Sequence, residues 1–157
     1  MMTRPRPSVL ILHNDPYADG AAPAGTCSES VTGVLAQVAA VAAALDQLHV
    51  PHRTESVRAF QECAAVLAVA PETIVLNLVE GFAVGAESAA FVPALCTAFG
   101  KECTGADAAC LGLTLDKAHT KAVLASADLP VPAGVLIQPG GPFDPMHLPP
   151  PPWIVKP

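Results

Sequence analysis

The amino-acid sequence predicts an α/β fold built on a doubly wound parallel sheet. Two short apolar segments, SVLILHN at residues 8–14 and TIVLNLVEG at residues 73–81, have the length and the branched side chains of buried strands. Longer segments between and after them carry apolar residues at helical spacing. Strands that alternate with helices in this way are typical of βαβ units, in which the strands run parallel.

The longest predicted helix follows the first strand and has one continuously apolar face. That face is formed by Val31, Val34, Leu35, Val38, Val41, Leu45 and Leu48. Pro51 stops this helix, and the HRTESV segment after it predicts a second, more exposed strand. An amphipathic helix over residues 59–70 then leads into the second apolar strand, and a third helix closes at Gly100.

The pattern changes after Lys101, and we place a domain boundary between residues 1–105 and residues 106–157. A short strand, a glycine-interrupted helix and a further helix with Thr114 or Asp116 as its N-cap are predicted next. Ten of the 17 prolines then lie in the last 28 residues. In that region PAGVLIQ and WIVK are interpreted as strands, joined by a proline-rich linker.

Composition excludes several classes of protein. The 52% hydrophobic and 14% charged content is typical of a globular chain, and apolar runs such as VAAVAAAL are too short to cross a bilayer. The net charge of −6 and the absence of a basic stripe argue against a nucleic-acid partner. The N-terminal segment is not a secretory signal, so we expect a cytoplasmic protein without a membrane partner.

The five cysteines are interpreted chiefly as small buried residues. Their odd number and the absence of a CxxC pair do not suggest a disulfide framework. Metal ligation by these thiols is the alternative interpretation.

Polar residues follow the two apolar strands at the edge where doubly wound sheets bind ligands. Asn14 and Asp15 follow the first strand, and Asn77 and Glu80 lie at the end of the other. The carboxylate of Glu80 is suited to an ammonium group of a substrate, although a helix cap or a solvated side chain fits the same position. His13 is interpreted as a structural histidine.

Two lysines have positions suited to an anion. Lys117 lies in the first turn of its predicted helix, where an ammonium and a helix N-terminus together suit a phosphate, unless it is simply solvated. In WIVKP, strand alternation places Lys156 on the same face as Ile154, where a cation needs an anion or must extend to water.

Common nucleotide and hydrolase signatures are absent. The sequence contains no GxGxxG after a strand, no GxxxxGK[ST], no HExxH and no GxSxG. A phosphoacceptor receiver domain would have an aspartate at the end of the third strand, where this chain has Asn77.

Three segments together resemble one family: TIVLNLVEG, then TGADAACLGLTLDKAHTKAVLASADLPVP, and finally PWIVKP. They are similar to the N-terminal part of ATP-grasp enzymes of the D-alanine–D-alanine ligase type, over about residues 9–157. The resemblance implies a Rossmann-like pre-ATP-grasp substrate domain over residues 1–105 and the truncated start of an ATP-grasp domain over residues 106–157.

The resemblance also implies roles for single residues. Lys117 and Lys156 correspond to the lysines that reach bound ATP, while Glu80 and Asn14 lie where the family binds its first substrate. Such enzymes use ATP and Mg²⁺ to phosphorylate a small-molecule carboxylate or amino acid, and an amine then attacks the acyl phosphate. Many form homodimers through this region. The resemblance assigns neither a catalytic residue nor a metal ligand to this chain.

The chain departs from the family at the substrate edge. LHNDPYADG replaces a glycine-rich segment after the first strand, and Glu80 with Gly81 replaces a histidine-glycine pair after the third. We therefore expect a different substrate from D-alanine. The glycine-rich loop, metal carboxylates and catalytic arginine of the family have no counterpart, so we expect an N-terminal fragment that is catalytically incomplete. The alternative is a standalone, non-catalytic α/β binding or interaction module.

Overall fold

The computed structural model describes residues 7–15, 27–82, 84–137, 140–141, 144–148 and 150–155. The chain divides into two compact units between Leu115 and Asp116, which is later than the predicted boundary between residues 105 and 106. Each unit is described by itself.

The first unit is an α/β domain around a four-stranded, entirely parallel sheet, which confirms the predicted α/β class. Its elements are β1 (Val9–Asn14), α1 (Cys27–Gln47), β2 (His52–Val57), α2 (Phe60–Val69), β3 (Ile74–Leu78), α3 (Phe91–Ala98), β4 (Glu102–Cys103) and α4 (Ala108–Leu115). The strand order is β2-β1-β3-β4, so the chain changes its direction of winding between β1 and β3. A sheet of this kind binds ligands at that change of direction.

The position of β1 inside the sheet explains why its sequence is continuously apolar. β1 pairs with β2 on one side and β3 on the other, and the side chains of Leu10, Ile11 and Leu12 have no exposed surface. A parallel strand covered on both faces has no solvent-facing positions, and alternation with polar residues is therefore lost. Among the described strands, β2 pairs only with β1, and it keeps the polar residues of HRTESV.

One hydrophobic core lies among the sheet, α2 and α3. Its fully or nearly buried members are Leu10, Leu12, Val57, Cys63, Leu67, Val75, Val79, Val92 and Cys96. On the outer side of this layer the rings of Phe60 and Phe91 meet edge to face, with centroids 5.5 Å apart. By contrast, no side chain of α1 between Gly33 and Gln47 is fully buried.

The second unit contains α5 (Lys117–Ser126) and a 3-10 turn over Pro145–His147. The carboxylate of Asp116 caps α5 by accepting a hydrogen bond from the backbone N–H of His119 at 2.9 Å, so Asp116 and not Thr114 is its N-cap. Asp144 caps the 3-10 turn through the N–H of Met146, at 2.9 Å.

Two predicted strands do not form in the second unit. The described residues of PAGVLIQ and WIVK, 132–137 and 153–155, belong to no strand. Their apolar side chains are exposed, and this holds for Val135, Leu136, Ile137, Trp153, Ile154 and Val155. A strand forms only when a neighbouring strand accepts and donates its backbone hydrogen bonds, and the described part of this unit offers none.

Two further features concern membranes and thiols. None of the described helices is long and apolar enough to cross a membrane. Cys63, Cys96, Cys103 and Cys110 are free thiols; the first two are buried, as expected, but Cys110 is exposed.

Candidate functional site

The carboxyl ends of β1 and β3 are joined by the side chain of Asn14. Its Nδ2 donates a hydrogen bond to the carbonyl oxygen of Gly81 at 2.7 Å, and its Oδ1 accepts one from the backbone N–H of Glu80 at 2.8 Å. Both polar ends of the amide are therefore used within the fold. Asn14, a predicted substrate-binding residue, here determines where the segment after β3 lies.

Glu80 lies at this same edge with its side chain exposed. Its backbone is held by Asn14, and its carboxylate forms no hydrogen bond or ion pair with any described residue. Because the backbone of Glu80 is already held, a ligand that binds the carboxylate has to order only the side chain, which reduces the entropy cost of binding. The structure thus leaves the carboxylate of Glu80 accessible at the ligand edge.

The ends of β3 and β4 carry a second polar link. The backbone N–H of Asn77 donates to the hydroxyl of Thr104 at 3.0 Å, and the side-chain oxygen of Asn77 accepts from the N–H of Val79 at 3.0 Å. The sequence analysis missed Thr104, because β4 has only two residues and a polar residue after so short a strand gives no periodic signal.

Asp15 and Arg58, which directly follow β1 and β2, form an ion pair at the same edge of the sheet. The Nε of Arg58 lies 2.6 Å from a carboxylate oxygen of Asp15, and the hydrogen bond with Asp15 raises the pKa of Arg58. The backbone N–H of Arg58 also donates to Glu62, in the first turn of α2, at 2.8 Å. The charge of Asp15 is thus balanced inside the protein.

His13 is part of the scaffold of this edge. Its ring is buried, and Nδ1 donates to the carbonyl oxygen of Asn14 at 2.7 Å. The donor must be Nδ1 because a carbonyl oxygen only accepts. This contact agrees with the structural interpretation of His13.

A buried serine shapes the segment that follows Glu80. The hydroxyl of Ser88 has no exposed surface, accepts from the N–H of Phe82 at 2.6 Å and donates to the carbonyl oxygen of Gly85 at 2.5 Å. Gly85 has φ of +141°, a backbone conformation in which a β-carbon would be strained and would also meet the carboxylate of Glu87. The turn is therefore held by side-chain and backbone constraints together.

The amino edge of the sheet has a charged cluster with a structural role. Arg53 binds the buried carboxylate of Glu72 through both Nε and Nη2, at 3.0 and 3.1 Å, and also contacts Glu55. The ammonium of Lys101 donates to the carbonyl oxygens of Ala70 and Glu72, each at 2.7 Å. The hydrogen bond with Arg53 lowers the pKa of Glu72 and raises that of Arg53. These contacts tie the start of β3 to β2 and to the end of α3.

The two predicted ATP lysines belong to the C-terminal part of the chain. Lys117 is the first residue of α5 and is exposed in the second unit, directly after the N-cap Asp116. Lys156 lies outside the described residues. Among the residues that the structure describes, no three His, Cys, Asp or Glu side chains are grouped so that they could hold a metal ion.

Comparison of the chain with protein-family models, with curated proteins and with solved structures found no match in any of the three.

Proposed function

We propose that this chain is the N-terminal part of an ATP-dependent carboxylate–amine ligase of the ATP-grasp superfamily, similar to the D-alanine–D-alanine ligases. The first unit would hold a small carboxylate or amino acid, and the second unit would begin the nucleotide-binding domain. In the whole enzyme ATP would phosphorylate the carboxylate, and an amine would displace phosphate to form an amide. The chain by itself would be inactive.

One observation carries this proposal: the second unit exposes the apolar side chains of both segments that the sequence predicts as strands. Leu136 is 70% exposed, Ile154 85% and Val155 89%. Burying apolar surface lowers the free energy by about 25 cal/mol per Å², and this stabilisation is lost where the surface stays in water. Large exposed apolar patches usually mark a surface that another part of a protein, or a partner, covers. Further strands of an ATP-grasp domain would cover these segments.

The position of Lys117 supports a phosphate-binding role. Lys117 is an exposed residue in the N-terminal turn of α5, where backbone N–H groups and the helix dipole also favour an anion. Lys156 is the second proposed phosphate contact, as implied by the resemblance of PWIVKP. The proposal assigns Mg²⁺ to carboxylates of polypeptide outside this chain.

Glu80 supports a substrate that carries an ammonium group. Its carboxylate is exposed at the sheet edge, and the Asn14 amide holds its backbone at 2.8 Å. A carboxylate there would attract the amino group of an amino acid more strongly than would the histidine that the ligases usually carry nearby.

The same exposed apolar side chains also fit the alternative, a non-catalytic module whose second unit binds another protein. The two functions differ in one property that can be measured, since only the ligase needs the two lysines for nucleotide binding.

Calorimetric titration of ATP with Mg²⁺ tests the ligase proposal. We expect weak or absent binding to this chain, and clear binding to a longer polypeptide that continues in frame past Pro157. In the longer protein, Lys117→Ala and Lys156→Ala should each weaken binding about tenfold or more, because a charge-assisted hydrogen bond contributes roughly 1.5–3 kcal/mol.

Lys121→Ala is the matched control, since Lys121 lies one turn further along the same helix. We expect it to bind ATP within about twofold of the unmodified protein, a difference of roughly 0.4 kcal/mol. Tight ATP binding by the present chain that survives loss of both Lys117 and Lys156 would contradict the proposal. An in-frame continuation without nucleotide binding would favour the interaction module.

A further inference from the structure

Arg58 keeps part of its guanidinium group open at the carboxyl edge of the sheet. Its Nε donates to a carboxylate oxygen of Asp15 at 2.6 Å. The side chain of Arg58 is 59% exposed, whereas that of Asp15 is only 12% exposed. Neither Nη group of Arg58 forms a hydrogen bond within the described part of the chain. Because the nearly buried Asp15 holds Nε, the edge formed by the two Nη groups can accept a second anion.

Arg53, at the start of the same strand, shows that one guanidinium in this protein can pair with two carboxylates. Its Nε and Nη2 bind Glu72 at 3.0 and 3.1 Å, while its Nη1 contacts Glu55. Arg58 follows the other end of β2, and Asp15 is its ion-pair partner among the described residues. Pairing with Asp15 therefore does not exhaust the donors of Arg58.

Arg58 and Glu80 lie at the same level of the sheet, on either side of β1. The register of β1 with β2 ends at Asn14, and Arg58 comes one residue later. The register of β1 with β3 ends at His13, and Glu80 comes two residues after that level. Since β1 lies between them, their backbones are two strand spacings apart, about 10 Å. A small ligand with both an ammonium and a carboxylate can span this distance with the help of the two side chains.

We propose that Arg58 and Glu80 together select an acidic amino acid as the ligand of the first unit. The carboxylate of Glu80 binds the ammonium group, and the open edge of Arg58 binds one of the two carboxylates. The second carboxylate stays free to react, as a carboxylate–amine ligase requires; in this respect the inference rests on the proposed function. An amino acid with a single carboxylate could not occupy Arg58 and still offer a carboxylate to ATP.

The charges near the two residues favour an amino acid over a dicarboxylate that has no amino group. Asp15 is paired with Arg58, and Glu62 accepts the backbone N–H of Arg58 at 2.8 Å. Together with Glu80 these carboxylates outnumber the one guanidinium, so a simple dicarboxylate meets net repulsion. The ammonium of an amino acid offsets this repulsion by pairing with Glu80.

NMR titration of the isotope-labelled chain with matched ligands tests the pairing of each charge. Glutamate carries both carboxylates and the ammonium, glutamine lacks the second carboxylate, and glutarate lacks the ammonium. Both enantiomers of each amino acid would be used. We expect one enantiomer of glutamate to bind at least about tenfold more tightly than glutamine or glutarate, a difference of about 1.4 kcal/mol. Its binding should shift the backbone amide signals of Arg58 and Glu80.

Substitutions assign each contact to its residue. Arg58→Lys keeps a positive charge beside Asp15 but lacks the forked guanidinium, so it should weaken glutamate binding about tenfold and leave glutamine binding within about twofold. Glu80→Gln should weaken both amino acids about tenfold and leave glutarate binding within about twofold. Glu102→Gln is the matched control, because Glu102 begins β4 at the opposite edge of the sheet and should not affect any of the ligands. Circular dichroism of each variant checks its folding.

Two results would overturn the proposal. One is a wild-type chain that binds glutamate no more tightly than glutamine, or does not bind it at all. The other is a preference for glutamate that persists unchanged in a folded Arg58→Lys variant or over glutarate in Glu80→Gln. If Arg58→Lys does not fold, the wild-type preference and Glu80→Gln still decide.

These outcomes are separate from the test of the ligase proposal, because the titrations contain no ATP. Failure to prefer glutamate, with ATP binding intact in the longer polypeptide, would leave a ligase with a different substrate. An intact preference for glutamate without ATP binding would leave the amino-acid site and reject the ligase.

Discussion

The side-chain oxygen of Asn14 holds the backbone N–H of Glu80 at 2.8 Å, and this contact joins the ends of β1 and β3. The same side chain donates to Gly81 from its other end. An amide that uses both its donor and its acceptor on neighbouring backbone groups fixes a position and an orientation at once. The exposed carboxylate of Glu80 is thereby tied to the most buried strand of the sheet.

Asn14→Ala is expected to lower the free energy of unfolding by about 1–3 kcal/mol, because it removes two hydrogen bonds, one from the exposed N–H of Glu80 and one to the partly buried carbonyl of Gly81, and each contributes about 0.5–1.5 kcal/mol. Urea unfolding measures this loss. Hydrogen exchange of the Glu80 amide should become faster, while the amides of β3 stay protected.

Asn14→Asp separates the two halves of this contact. The carboxylate still accepts from Glu80 but cannot donate to Gly81, so the Glu80 amide should remain protected. Unchanged exchange at Glu80 in Asn14→Ala would show that the contact does not hold the segment in solution.

Ser88→Ala is expected to destabilise the first unit by about 1–3 kcal/mol, since it leaves the N–H of Phe82 without an acceptor beside a fully buried position. Thermal or urea unfolding measures the effect. Ser126→Ala removes an exposed hydroxyl that bonds only within its own helix turn and should change stability by less than about 0.5 kcal/mol. Equal effects of the two substitutions would contradict this role of Ser88.

Glu72 makes stability depend on pH in the acid range. Its pKa is lowered from the ordinary value of 4.5, chiefly by the hydrogen bond with Arg53. A carboxyl whose folded pKa lies below its unfolded pKa contributes stability above the unfolded value, and this contribution is lost as the pH falls through the folded value. We therefore expect the unfolding free energy of the wild type to decline as the pH falls below about 4.5.

Glu72→Gln tests the assignment by removing this titration. The variant should be less stable at pH 7 by about 1–3 kcal/mol, because Arg53 loses a bidentate, nearly buried partner, and its stability should fall less steeply in acid. Glu102→Gln, at an exposed position on β4, is the matched control and should keep the acid slope of the wild type. An unchanged slope in Glu72→Gln would assign the titration to other carboxylates.

Leu136→Ser and Ile154→Ser test whether the exposed apolar side chains of the second unit are free in solution. Each should change the free energy of unfolding by less than about 0.5 kcal/mol, since neither side chain is packed. Together they should reduce the fluorescence of a bound apolar dye. Leu10→Ser, in the core, is the contrasting control and should cost several-fold more stability. Strong destabilisation by Leu136→Ser would mean that this segment is buried.

The inner strands of the sheet could be predicted because burial requires a short run of apolar residues, which is visible in the local sequence. β1 and β3 are mostly apolar runs, as is typical of strands inside a parallel sheet. Pro51 and Pro71 follow the two helices between them and mark where those helices end. The same criterion was wrong for residues 132–137 and 153–155, which are equally apolar. An apolar run predicts that a segment can be buried, but strand formation also requires a neighbour.

By itself, the sequence determined the α/β class, the parallel strands and the placement of Asn14 and Glu80 at one edge, because periodicity and strand ends are local properties. Only the tertiary structure decided that Asn14 binds the backbone of Glu80 and Gly81 and that Ser88 holds the next turn. The partners of Asn14 lie 66 and 67 residues further along the chain. Such contacts depend on which strands are neighbours in the sheet, and strand order cannot be inferred from a short stretch of residues.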